Sequence, residues 1–279
     1  THVIMKVVWI ILLAVTVAVV IFWNPMGTNV RTLLFISQGF PQIPVKPLGW
    51  FTKEPETERI GFGEKQETVA DLVSPRREGK RPAIIFAMGV YTQEKDRVLL
   101  LDVADTFARL GYVVLWPRSK ILDKEEGILE DPQIFVESFK YLESRGEVDK
   151  ERISFLGFSL GSSIAMVAAE DPAIAGKVRS LVWFGGYYSL YDYLTSLAVR
   201  QVVVDGRTVG WEPHESATSH AEKIMKPLGG SLELFREGKV TEEQREYLAR
   251  FSPDAKLDDF KAPLLILHDK NDSYVPWIE

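Results

Sequence analysis

Short, continuously apolar runs recur through the middle of this chain, and amphipathic stretches separate them. Ala83–Met88 (AIIFAM), Tyr112–Trp116 (YVVLW), Ile153–Leu156 and Ser180–Phe184 have the length and character of strands buried on both faces. Between the first two, Leu99, Val103, Phe107 and Leu110 fall on one helical stripe that Gly111 ends. Asp131-Pro132 supplies an N-cap followed by proline at the first helical position. The helix it opens carries Phe135, Phe139 and Leu142 and ends at Gly146. Leu160–Ala169 is a third helix, Thr68–Val73 alternates as a strand should, and Pro263–Leu267 (PLLIL) is the last strand. Buried strands alternating with amphipathic helices imply an α/β fold: a mostly parallel, doubly wound sheet covered on both faces. Ligand sites in such sheets lie at the carboxyl ends of the strands.

One motif falls at such an end. Gly157-Phe158-Ser159-Leu160-Gly161 is a Gly-x-Ser-x-Gly sequence entered from a strand and left by a helix of small residues. A strand–turn–helix with serine at its apex is a nucleophile elbow. The turn is too tight for side chains at the flanking positions, hence the glycines. It lifts the hydroxyl above the sheet, next to the positive end of the following helix. Ser159 is therefore the candidate nucleophile. The alternative is a tight turn bearing a solvent-facing serine.

The runs VDKERISFLGFSLGSSIAMVAA and PLLILHDKNDSYVP resemble those of the α/β-hydrolase superfamily, in its dienelactone-hydrolase-like and esterase branch, over about Thr68 to the C-terminus. The second run resembles the family's strand followed by His-Gly-x-x-Asp-x-x-Val-Pro, with Asp269 where glycine is usual. The resemblance implies Asp272 as the catalytic acid, with Asp269 as the fallback, and makes His268 structural. It implies an oxyanion hole from the backbone N–H of Leu160 and that of Val90, with Tyr91 close by. The family's His-Gly before the second donor is replaced here by Met88-Gly89. A serine needs an imidazole to take its proton. The family's histidine follows the acid by a few tens of residues, yet no histidine follows Asp272 here. His2, His214 and His220 read as surface histidines and are not assigned.

Thr1 in first place and Glu279 shortly after a strand predict a partial chain whose C-terminal helix and strand, with that histidine, lie beyond Glu279. At the other end, Val3–Trp23 is apolar but for Lys6 and Thr16. As a helix it would span roughly 30 Å, the thickness of a bilayer core. Residues 1–23 are expected to form a transmembrane anchor. Lys6 favours a cytoplasmic N-terminus and an extracytoplasmic main domain. Residues 24–59, broken by Pro25, Pro41, Pro44, Pro47 and Pro55, read as a juxtamembrane linker with a short helix at Val30–Ile36, and Trp50 and Phe51 as docking on the domain. The hydrolase domain occupies 60–279. Within it, 187–261 is longer than a minimal fold requires and reads as a helical lid insertion, with helices near Glu215–Lys226 and Glu242–Phe251. Its aromatics, beginning with Tyr187, Tyr188 and Tyr191, either line an acyl pocket or form the insertion's own core.

A formal charge of -6 argues against a nucleic-acid surface. With no cysteine, disulfides and zinc-thiolate sites are excluded. No ligand cluster implies a metal or an organic cofactor. The expected function is that of a membrane-anchored serine hydrolase cleaving an ester or thioester of a small-molecule or lipid-like acyl substrate. Rivals are a peptidase or acyltransferase on the same fold and a catalytically silent, membrane-tethered binding domain. Oligomeric state is not expressed in the sequence.

Overall fold

A computed structural model describes residues 23–39, 42–63, 68–89, 94–119, 129 and 131–277. In chain order the main elements are α1 (Trp23–Gly39), α2 (Leu48–Phe51), β1 (Glu56–Phe62), β2 (Thr68–Ser74), β3 (Arg81–Ala87), α3 (Glu94–Arg109), β4 (Val113–Ser119), α4 (Pro132–Ser144), β5 (Val148–Phe158), α5 (Leu160–Ala169) and β6 (Leu181–Phe184). The segment expected as a lid insertion holds α6 (Leu190–Val199), β7 (Gln201–Val204), β8 (Arg207–Gly210), α7 (Glu215–Met225), α8 (Leu232–Arg236) and α9 (Glu242–Ala249), and then comes β9 (Leu264–Leu267).

Seven strands form one sheet in the order β1-β2-β4-β3-β5-β6-β9. β1, β2 and β4 pair antiparallel, and β4, β3, β5, β6 and β9 run parallel. The sheet is therefore mostly parallel, with its antiparallel strands at one edge. Alternate side chains of the buried strands feed two cores. Ile84, Phe86, Val114 and Trp116 pack with Ala104 and Ala108 of α3 on one face. Ile85, Leu115, Ile153 and Phe155 pack with Phe135, Phe139 and Leu142 of α4 and Ile164 and Ala165 of α5 on the other. That division is why these strands read as unbroken apolar runs. The cap on α4 is as read: Asp131 Oδ1 accepts the N–H of Gln133 at 2.9 Å, and Pro132 follows it.

The expected anchor lies outside the described residues except for Trp23, which opens α1. Among the described residues no helix is long and apolar enough to cross a membrane. The helix expected at Val30–Ile36 is longer, Trp23–Gly39, and packs on the domain through Phe35 against Phe107, with ring centroids 4.8 Å apart. Lys46 Nζ donates to the carbonyls of Ser37 (3.0 Å) and Gln38 (2.9 Å), satisfying its last turn. Trp50 and Phe51 are exposed; Leu48, on the same short helix, is the residue that buries. β1 straddles the expected linker boundary at 59/60. Its sequence ETERIGF shows no apolar alternation because an edge strand exposed along most of its length buries only its last residue.

Candidate active site

The elbow forms as the glycines require. Ser159 sits at φ 52°, ψ -139°, a left-handed conformation that a side chain adopts only when its surroundings enforce it. Its N–H donates to the carbonyl of Phe184 at the end of β6 (2.8 Å), and its own carbonyl accepts from Ser162 (2.9 Å). A Cβ at Gly157 would lie 2.5 Å from Ser162 Cα. One at Gly161 would lie 2.4 Å from backbone atoms of Ala87 and Met88. Both positions are closed to any larger residue. The apex is partly exposed, while Leu160 behind it is buried.

α5 is pinned by two serines. Ser162 Oγ donates to Phe184 O (3.1 Å) and accepts Phe184 N–H (3.2 Å). Ser163 Oγ donates to Tyr187 O (2.6 Å) and accepts Tyr187 N–H (2.9 Å). The positive end of this helix therefore stays fixed at the serine. The loop leaving β3 passes over the elbow: a Cβ on Gly89 would lie 2.9 Å from Ser159 Cβ and 3.2 Å from Leu160 N. Gly89 thus lets that loop approach the expected oxyanion donor Leu160. The other expected donor, Val90, and its neighbour Tyr91 lie outside the described residues.

Asp272 occupies the loop after β9. Gly185, which follows β6, donates its N–H to Leu267 O (2.9 Å), and a Cβ on it would lie 3.4 Å from Asp272 Oδ2. Phe184 and Gly185 are thus the shared neighbours of serine and acid: one receives the Ser159 N–H, the next faces the carboxylate. Asp272 Oδ1 accepts the N–H groups of Tyr274 (2.7 Å) and Val275 (3.1 Å), which aims the carboxylate and leaves Oδ2 toward β6. Asp269, the fallback acid, is exposed and spends Oδ1 on the N–H of Asn271 (2.8 Å), a turn role. His268 Nε2 lies 2.9 Å from Val275 O and 3.4 Å from Asp272 Oδ2, bracing the acid loop.

His214 Nδ1 accepts the N–H of Ser216 (3.1 Å) and so caps α7. His220 is half-buried on the same helix, and burial, with Lys223 beside it, pushes its imidazole below the ordinary value. His2 lies outside the described residues. Of the insertion's aromatics, Tyr187 is fully buried, stacks on Tyr193 with centroids 5.6 Å apart, and donates to Phe251 O (2.9 Å). Burial holds its phenol well above the ordinary value. Tyr191 lies on Phe235, beneath the Arg245 guanidinium. These rings build the insertion's core, the second of the two roles open to them. Among the described residues no three His, Cys, Asp or Glu side chains cluster as a metal site.

No family model matches the chain. A Bradyrhizobium sp. protein described as a probable 2-oxo-3-(5-oxofuran-2-ylidene)propanoate lactonase is 28% identical over 143 residues, which is 46% of this chain and 54% of the relative. The chain thus spans about half the length of that curated relative. Among solved structures, a 2,6-dihydroxy-pseudo-oxynicotine hydrolase superposes with a TM-score of 0.54 at 16% identity, covering 80% of this chain and 54% of the other. A Pyrococcus horikoshii acylaminoacyl peptidase gives 0.51 at 17% identity, covering 84% and 35%. A Mycobacterium tuberculosis puromycin-hydrolyzing peptidase gives 0.54 at 17%, covering 85% and 33%. With the strand order and the elbow, these likenesses identify the architecture of the chain as the α/β-hydrolase fold.

Proposed function

We propose that this protein is a serine hydrolase that opens a carboxylic ester, a lactone included, through an acyl-enzyme on Ser159. The observation that carries the reading is the elbow: a serine in a strained backbone conformation at a helix N-terminus, with an oriented carboxylate two strands away, across β6. Ser159 Oγ attacks the carbonyl carbon and yields its proton to an imidazole. Asp272 Oδ2, the oxygen not used by the loop amides, orients that imidazole. The Leu160 N–H receives the oxyanion. The imidazolium returns that proton to the leaving alkoxide as the C–O bond breaks; in a lactone the freed hydroxyl stays on the acyl chain. Water, deprotonated by the same imidazole, then attacks the acyl-enzyme, the bond to Ser159 Oγ breaks as the serine takes the proton back, and the acid is released. Similarity to a lactonase favours an ester carbonyl over an amide.

A second reading has its own observation. His268, the imidazole within reach of Asp272, turns its Nε2 to the Val275 carbonyl as well, as a brace of the loop would. A fold of this kind without a working base would be a binding domain. Fluorophosphonate labelling of the full-length protein separates the two. The hydrolase reading expects one labelled residue, Ser159, and complete loss of label in Ser159→Ala. A folded wild-type protein that stays unlabelled favours the binding domain.

A further inference from the structure

The insertion does more than follow β6; it holds the acid loop at three consecutive residues. Trp211, just past β8, donates its Nε1–H to the carbonyl of Asp272 (3.0 Å). His214 donates its backbone N–H to the carbonyl of Ser273 (2.7 Å). The His214 ring stacks on Tyr274, with centroids 4.7 Å apart and planes at 17°. The same loop shapes the acid, because the N–H groups of Tyr274 and Val275 are the ones that fix Asp272 Oδ1. Whatever moves Ser273 and Tyr274 therefore turns the carboxylate.

The clasp is itself anchored. The Trp211 N–H donates to Arg200 O (2.9 Å), closing the base of the β7–β8 hairpin. Asp205 and Gly206 turn that hairpin at φ 51° and 75°. His214 is the N-cap of α7, whose Ala217, Ala221, Ile224 and Met225 are buried in the main core. The hairpin and α7 thus stand behind the clasp.

We propose that the insertion works as a clasp on the acid loop, with Trp211 and His214 as positioning residues that set the orientation of the Asp272 carboxylate. As a statement about catalysis, this rests on the hydrolase reading. Displacement of the insertion, by substrate entry or by a partner, would slacken the loop and misalign the acid. The insertion then regulates the aim of Asp272.

The test uses the full-length protein and two variants. Trp211→Phe keeps a ring and removes the Nε1 donor. His214→Asn keeps a side-chain cap for α7 and removes the stacked imidazole. Amide hydrogen exchange at Tyr274 and Val275 should rise at least tenfold in Trp211→Phe and several-fold in His214→Asn, with β5 amides unchanged. The fluorophosphonate labelling rate at Ser159 should fall about tenfold. Its pH midpoint should move down, because a displaced carboxylate no longer raises the basicity of the imidazole. Saturation by the probe should stay as in the wild type. Folded variants with unchanged exchange at Tyr274 and Val275 overturn the clasp. Raised exchange with an unchanged labelling rate overturns its catalytic role. If the wild type is unlabelled, the hydrolase reading falls, and the exchange measurement still decides whether the clasp exists.

Discussion

Glu170 closes the helix that begins after Ser159, and its environment makes a quantitative prediction. It is 1% exposed, and neither carboxylate oxygen has a hydrogen-bond partner among the described residues. Burial first, then the nearby charges of Asp259 and Asp254, push its carboxyl from the ordinary 4.5 up to about 8, with Lys256 opposing. The proton is therefore held more tightly in the folded chain than in the unfolded one. That stabilisation is fully present below pH 4.5 and is lost as the pH rises to about 8. Each pH unit of that window is worth about 1.4 kcal/mol, so a dry site would lose about 5 kcal/mol across it. Glu170 lines a cavity of about 390 Å³ shared with Asp131, Asp171, Glu246, Arg250 and Lys256. About 5 kcal/mol is therefore the upper limit, and water entering that cavity beside Arg250 and Lys256 brings the expected loss down toward about 2 kcal/mol. Glu170→Gln keeps the shape of the protonated acid and cannot ionise. It should match the wild type within about 0.5 kcal/mol at pH 4.5 and exceed it by about 2 kcal/mol at pH 9. In thermal melts of a domain this size that is about 4–8 °C. The difference between the two proteins is the readout, since Asp254, also raised by burial, titrates in both. A Glu170→Gln difference that does not change between pH 4.5 and pH 9 would refute the reasoning.

Two further predictions concern the site. Gly161→Ala places a methyl 2.4 Å from backbone atoms of Ala87 and Met88, which cannot swing aside as a side chain can. It should cost about 2–3 kcal/mol in urea unfolding and, by shifting the elbow, lower Ser159 labelling about 100-fold; a stable, fully reactive variant would contradict the geometry. Asp272→Asn should reduce ester turnover by about 10³-fold or more, while Asp269→Asn should stay within about tenfold of wild type. The reverse ranking would make Asp269 the acid.

Most of the sheet was legible because parallel strands buried on both faces have no polar positions to hide in. Ile84–Phe86 and Val113–Trp116 could have been little else. β1 was not legible, since ETERIGF buries one residue and leaves no periodic trace. The β7–β8 hairpin carried a signal that went unused: Asp205-Gly206 between VVV and RTV is the Asp-Gly pair that favours a two-residue hairpin turn. Ser159 stands out as a candidate because its flanking glycines have a mechanical reason in the turn, whereas Asp272 is a candidate only through the family resemblance of HDKNDSYVP. The parts of the site that were missed are tertiary. Phe184 O, which receives the Ser159 N–H, is a backbone atom 25 positions along the chain, and no residue type advertises it. Gly185 and Gly89 look like any loop glycines until the atoms they face are known.

The same distinction explains why His214 reads as a surface residue and still touches the loop that carries Asp272. A sequence motif records what a residue does to its own segment, and His214 duly caps the helix that follows it. What it does to Tyr274, some sixty positions later, depends on the insertion folding back over the carboxyl ends of β6 and β9. The acid loop has little regular structure of its own: after Leu267 it is held by His268, by its own amides and by the insertion. A loop of that kind has few ways to keep a carboxylate aimed within the narrow tolerance that proton transfer demands. An external strut is one of them, and on the proposed hydrolase reading it would make the aim of Asp272 depend on how residues 187–261 sit rather than on the strand scaffold alone.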